Sequence, residues 1–285
     1  MSLPLNPMPD SDGLLQPAPP ELEPAPPPVE EALVLPPSFP TWSGWNVLAV
    51  VAFTAVSIFA FSVIALLIAK ASPAYRNMSF QDAVAKLSTN AEVLVGAQAA
   101  AYVLVLLFIY LLVRSRSHEP FGQAIRWNWP GASAFGFLVG GMVLALVVDG
   151  LSRFLPIPKS LPMDNFFNDA GSAYMMAAFG LTLAPLLEEL FFRGLLYPLL
   201  RRAMGLFWAV FFTALAFAAI HGAQLGYAWA PVLSIFVVGV VFTVVRERRN
   251  SVAASFLMHC GYNFTLFAML WWASDHFRHL EKAGG

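Results

Sequence analysis

Charge and cysteine are both scarce in this chain of 285 residues. Asp, Glu, Lys and Arg make up 12%, against about a quarter in soluble domains. Hydrophobic residues make up 58%, and the mean hydropathy is +0.66. That balance excludes an ordinary soluble enzyme and points to a polytopic, multi-pass integral membrane protein. The one cysteine, Cys260, excludes an internal disulfide and a cysteine-built zinc site. A formal net charge of −1, with no basic stripe interleaved with aromatics, leaves no footprint for nucleic acid. No lysine or arginine precedes Lys70, so the charged n-region of a secretory leader is missing. The first apolar block is therefore expected to stay as a membrane helix. Neither His-Glu-x-x-His nor Gly-x-Ser-x-Gly occurs, so no ready-made zinc helix or serine elbow is present.

The chain does hold long apolar blocks. They cover roughly 45–70, 93–114, 131–152, 173–199, 205–221, 228–245 and 252–273, each near the ~20 residues that cross a bilayer. The fourth contains Pro185 and reads as one tilted helix or two helices broken near the proline. The expected fold is thus an all-α polytopic membrane bundle of seven or eight transmembrane helices. Residues 1–42 stand apart, holding 13 of the 22 prolines and no charge other than six carboxylates. Such a composition cannot offset its ordering entropy by burial, so a disordered acidic tail is expected, with a proline-rich docking segment as the other reading. Residues 43–155 read as N-terminal transmembrane helices and 172–273 as a core that carries chemistry.

Basic residues gather in three connections: Arg114, Arg116 and Arg126; Arg201 and Arg202; Arg246, Arg248 and Arg249. Two spans separate each from the next, so all three can face the cytoplasm, with Lys70, Arg76 and Lys86 on the other side.

Three patterns interrupt the later blocks with ionisable groups, which cost about 2.5–3.5 kcal/mol apiece at bilayer depth and mark function by default. The first is Glu188-Glu189-Leu190-Phe191-Phe192-Arg193. Residues four apart share a helix face, so Glu189 and Arg193 can pair. Glu188 is turned ~100° away and stays available to substrate or water. The second, Phe217-x-x-x-His221, sets a ring beside an imidazole. The third, His259-x-x-x-Asn263, puts an imidazole and a carboxamide on one face. A glutamate with an imidazole can activate water, and a second imidazole with a carboxamide can hold an oxyanion. The same groups admit a divalent metal such as zinc, with Glu188, His221 and His259 as ligands. Asp149 can pair with Arg153 at the rim of its span and receives no catalytic role.

These three patterns, in this order on successive spans, resemble the CPBP intramembrane protease family. It is also called the CAAX amino-terminal protease or Abi family and includes CAAX prenyl protease 2. The resemblance covers roughly residues 172–273. It implies that Glu188 is the general base, that Glu189 and Arg193 support it, and that His221 shares the water or a metal. It further implies that His259 and Asn263 stabilise the oxyanion. Members have been described both as metalloproteases and as metal-independent glutamate proteases. If His259 serves the oxyanion, two protein ligands remain, which favours activation without a metal. The expected function is an intramembrane endopeptidase acting on a membrane-associated peptide or protein delivered by the lipid bilayer. Eukaryotic relatives cleave three residues from prenylated C-termini. The alternatives are a non-catalytic scaffold or immunity factor of the same fold, or a proton- or cation-coupled transporter.

Overall fold

In an apolar surrounding the backbone must satisfy its own N–H and C=O groups, and a helix does so within one segment. The computed structural model describes residue 1 and residues 41–158, 160–167 and 169–279. Apart from Met1 and residues 41–42, the expected acidic tail lies outside them. The described apolar blocks are helical: α1 (Gly44–Ala71), the short α2 (Phe80–Leu87), α3 (Ala91–Arg116), α4 (Phe121–Ala124) and α5 (Ala134–Ser152). Then come α6 (Ala170–Leu181), α7 (Leu183–Glu189), a π-helical stretch (Leu190–Leu196), α8 (Tyr197–His221), α9 (Trp229–Arg249) and α10 (Val252–Ala273). No strand occurs among the described residues, so the architecture is all-α. Side-chain caps start several helices: Asn90 accepts from the Val93 amide, Asp169 from Ser172 and Ser251 from Ala254.

Two breaks shape the region of the double glutamate. The helix stops at Thr182 (φ −125°, ψ −79°), three residues before Pro185. Proline lacks the N–H for its ladder bond, and its ring crowds the carbonyl four residues back. The expected interruption is therefore real, and it divides α6 from α7. The second break is at Gly205, whose φ of 80° and ψ of −177° leave the helical region inside α8. A glycine tolerates that backbone because it has no Cβ. On a straight helix Arg193 and Phe217 would lie about 36 Å apart. The Arg193 guanidinium instead sits 4.5 Å from the centre of the Phe217 ring. The chain reverses at Gly205 and returns along itself.

Among the described residues six helical stretches are long and apolar enough to cross a membrane, against the seven or eight expected. The difference has a simple source. Residues Ala170–His221 count as one stretch of 52 residues, whereas the reversal at Gly205 makes them two legs. Large apolar side chains, among them Phe59, Leu67, Val103, Phe135, Leu146 and Phe207, are exposed around the bundle. Soluble proteins do not display apolar surface on this scale. Together with the helices this makes the chain an integral, multi-pass membrane protein.

Packing fixes the motif-bearing helices from two sides. Val47 and Val50 of α1 and Val105, Ile109 and Val113 of α3 pack with Leu187, Leu190 and Leu195, and the Trp42 indole donates to the Leu195 carbonyl at 3.0 Å. On the other side α10 lies directly on α5. A Cβ on Gly141 would collide with the Met258 carbonyl, and one on Gly261 with that of Leu138. The backbones meet because both residues are glycine, which is how small residues join membrane helices. That crossing sets the height of His259, one half-turn before Gly261.

Candidate active site

Successive residues of α7 point ~100° apart, and this separates the two glutamates. Glu188 lines a cavity of about 880 Å³ together with His221, His259 and Asn263. Its side chain keeps 13% exposure, whereas that of Glu189 keeps 0%. Glu189 is turned away from the cavity and accepts from three donors. The Arg193 Nη1 donates to its Oε1 at 2.8 Å, the His259 Nδ1 reaches the same oxygen at 3.0 Å, and the Ser255 hydroxyl donates to Oε2 at 2.7 Å.

Arg193 is equally enclosed, also with 0% side-chain exposure. Its Nη2 donates to the Gly239 carbonyl at 3.1 Å. The guanidinium lies within 6 Å of the ring centres of Phe192, Phe217 and Phe242, a geometry in which ring faces stabilise a cation. Arg246 of α9 donates through Nε to the Arg193 carbonyl at 3.1 Å. A buried ion pair with this many hydrogen bonds can offset its desolvation.

Hydrogen bonding also fixes the imidazoles. A carboxylate only accepts, so His259 carries a proton on Nδ1, and its Nε2 then lies 3.7 Å from Glu188 Oε2. A carbonyl also only accepts, so the 2.8 Å contact from His221 Nδ1 to the Phe217 oxygen puts the proton on Nδ1. In the neutral ring the His221 Nε2 then has a free lone pair. The Phe217 ring packs against this imidazole with centroids 4.9 Å apart, so Phe217 orients His221 through both ring and carbonyl. Asn263 spends an amide proton on the Gly180 carbonyl at 2.7 Å, tying α10 to α6. Asp149 and Arg153 pair at 3.1 Å, away from the cavity.

Pro158, Ser160, Leu161, Met163, Asp164 and Phe167, with Gln224 and Leu225, contribute the outer part of the cavity wall. They belong to the connections that follow α5 and α8, at the end of the bundle opposite Arg114, Arg201 and Arg246. The inner end stops at Glu188 and His259, behind which lie Glu189, Arg193 and Arg246.

Among the described residues, no three His, Cys, Asp or Glu side chains converge so as to hold a metal ion. Glu188, His221 and His259 share a cavity without forming that cluster. Both ring nitrogens of His259 already face carboxylates. Of the expected metal set, His259 Nε2 and Glu188 stand 3.7 Å apart, and His221 does not complete a three-residue cluster with them.

Several contributors carry no sequence pattern. Ser255 is one turn before His259, but a serine in an apolar helix gives no sign of its acceptor. Arg246 reads as one of three rim arginines. Gln98 and Tyr102 of α3 line the cavity from outside the motif-bearing region.

Residues 170–265 match the family model described as Rce1-like, the type II CAAX prenyl endopeptidases. That segment holds α6 to α9 and the part of α10 that carries His259 and Asn263. The match supports assigning this segment to the CPBP, or CAAX protease, family, in agreement with the resemblance drawn from the three patterns. Neither the curated proteins nor the solved structures provide a match to the chain.

Proposed function

We propose that this protein is an intramembrane endopeptidase of the CAAX-protease type that hydrolyses a peptide bond with water activated by Glu188. One observation carries the reading. Glu188, His221, His259 and Asn263 come from three segments far apart in sequence and line one cavity among the apolar helices.

A water beside Glu188 gives a proton to its carboxylate as the water oxygen adds to the substrate carbonyl carbon. The His221 Nε2 lone pair is a second acceptor that holds this water. The carbonyl electrons move to oxygen, and donors in the cavity stabilise the resulting oxyanion. The second amide proton of Asn263 fills that role, and His259 joins it through Nε2 when that nitrogen also carries a proton. When the oxyanion collapses the C–N bond breaks, and Glu188 returns its proton to the leaving amine. Glu189 and Arg193 never meet the substrate. They hold His259 by its Nδ1 and keep its Nε2 beside Glu188.

A scaffold needs no hydrogen-bonded imidazole beside an accessible carboxylate. A transporter needs a path, and the wall behind Glu188 is filled by buried side chains. Tyr102, Phe179, Phe217 and Leu266 give the cavity apolar walls suited to a peptide arriving from the bilayer, with or without a lipid.

The test uses the purified full chain in phosphatidylcholine–phosphatidylglycerol liposomes. The probes are an internally quenched peptide ending in a farnesylated Cys-aliphatic-aliphatic-X sequence and its unprenylated twin. Wild type is expected to cleave at least one, and Glu188→Gln neither. Activity is expected to survive exhaustive chelation. Inactivation that zinc restores would replace water activation by Glu188 alone with a metal-assisted scheme. A wild type inert on both probes would overturn the reading.

A further inference from the structure

Helix α3 lies outside residues 170–265, yet it closes one wall of the cavity with Gln98 and Tyr102, one turn apart. The Gln98 amide donates to the Tyr102 phenol oxygen at 2.9 Å. A phenol that accepts keeps its own proton to give. Among the described residues the Tyr102 hydroxyl has no acceptor, and Glu188 lines the same cavity. Tyr262 lines the same cavity, but it is buried in the packing of α5, α9 and α10 with Ala145, Val238 and Phe242.

The donors inherited from the motifs are partly spent. Asn263 gives an amide proton to Gly180, His221 gives its Nδ1 proton to Phe217, and His259 gives its own to Glu189. The remaining His259 nitrogen stands beside Glu188, where it competes with the water. A peptide carbonyl placed between Glu188 and α3 would present its oxygen to Tyr102.

We propose that the Tyr102 hydroxyl, turned into the cavity by Gln98, donates a hydrogen bond to the oxyanion that forms when water adds to the substrate carbonyl. Tyr102 is then a catalytic residue contributed by α3, and Gln98 is its positioning residue. This rests on the peptidase reading above. No proton leaves Tyr102 during the reaction. The bond strengthens as charge builds on the substrate oxygen and relaxes when the C–N bond breaks. Binding of the uncharged substrate gains little from it.

The experiment compares full-length wild type, Tyr102→Phe, Gln98→Glu, Tyr110→Phe and Glu188→Gln on the two liposome probes. Tyr102→Phe is expected to lower kcat about 100-fold, with KM within about twofold and an unchanged thermal midpoint. Gln98→Glu supplies an acceptor that draws the phenol proton away from the cavity, so it is expected to reproduce most of that loss. The two changes together should cost no more than Tyr102→Phe alone. Tyr110→Phe, two turns along α3 and half exposed, is expected to leave both constants unchanged. A fully active Tyr102→Phe beside an inactive Glu188→Gln would overturn the role of Tyr102 and leave the peptidase reading standing. A Tyr102→Phe variant that raises KM and lowers the midpoint would show a packing role and also overturn it. If Tyr102→Phe does not fold, a fully active Gln98→Glu variant has the same force. A wild type inert on both probes removes the premise and the proposal together.

Discussion

Glu188 and Glu189 are the same residue one position apart, and their surroundings are opposite. Glu189 is closed off from water and receives three hydrogen-bond donors, one of them a buried guanidinium. Glu188 opens on the cavity, and the nearest imidazole nitrogen stands off at 3.7 Å. The ~100° step of a helix suffices to divide them. A carboxylate whose lone pairs are already taken cannot act as a base, while a carboxylate without donors is free to do so. The sealed side supplies rigidity and the open side supplies reactivity, with His259 touching both.

The sharpest way to break this comparison is to neutralise each glutamate in turn. Glu188→Gln is expected to lower kcat/KM by about 10²–10⁴, the range of a general base, with an unchanged thermal midpoint in one detergent. Cleavage at the wild-type rate would show that reactivity does not lie on the open side.

Disrupting the sealed side should cost stability first. Glu189→Gln and Arg193→Met each leave a buried charge without its partner, and each is expected to lose about 3–5 kcal/mol. Activity falls with it, because the His259 Nδ1 loses its charged partner in the first variant and that partner loses its anchor in the second. A double variant, Glu189→Gln with Arg193→Met, removes both charges and is expected to recover part of the loss. Chemical denaturation of the three variants in detergent gives the coupling. Additive losses would mean that the pair is not the unit holding this side together.

The α5–α10 crossing allows a finer test, because it positions the one residue that both sides share. Gly261→Ala puts a methyl group against the Leu138 carbonyl, and overpacking of this kind costs about 1–3 kcal/mol. The strain reaches His259 two residues earlier, so cleavage should weaken along with stability. Gly96→Ala is the matched control, since its added carbon meets open space. It is expected to be neutral or slightly stabilising, because alanine favours helix over glycine by about 1 kcal/mol. Equal losses at the two positions would detach His259 from the crossing.

Much of this arrangement was legible before any coordinates. Apolar length predicted the helices, and four-residue spacing predicted the Glu189–Arg193 pair and the Phe217–His221 contact. Pro185 marked the break before α7. Other features required the fold. Gly205 has no local signature that separates a reversal from an ordinary helical glycine, so length alone counts two legs as one. Spacing placed His259 and Asn263 on one face, yet it could not tell that Asn263 would donate to Gly180. The nearness of Ser255 and His259 to Glu189 depends on how α10 meets α7, and no local pattern encodes that. Glu188, His221 and His259 read together as a candidate metal set, and no sequence pattern shows that the His259 Nδ1 is given to Glu189 while its Nε2 stands 3.7 Å from Glu188. The contribution of Tyr102 was hidden for a related reason: its partner Gln98 is one turn away on a helix with no ionisable pattern.

The smallest expected effect lies at the exposed start of the segment that carries both glutamates. Asp169 caps α6 by accepting from the Ser172 amide at 3.0 Å and the Ser172 hydroxyl at 2.7 Å. These bonds favour the charged form and hold its carboxyl below the usual range. Asp169→Ala is expected to cost about 0.5–1 kcal/mol, as capping losses at exposed helix ends do, and to leave cleavage at neutral pH unchanged. The sign with pH follows from the depressed value. The folded state binds the Asp169 proton more weakly than the unfolded chain, so the cap is fully stabilising above the unfolded pKa of about 3.9. Its contribution is lost as pH falls through the lower folded value. Thermal midpoints of wild type and Asp169→Ala should therefore differ at pH 7 and converge below about pH 4. A gap that persisted into acid would mean that Asp169 acts through packing rather than through its charge. A large loss of cleavage at pH 7 would extend the reactive side of the molecule to its rim.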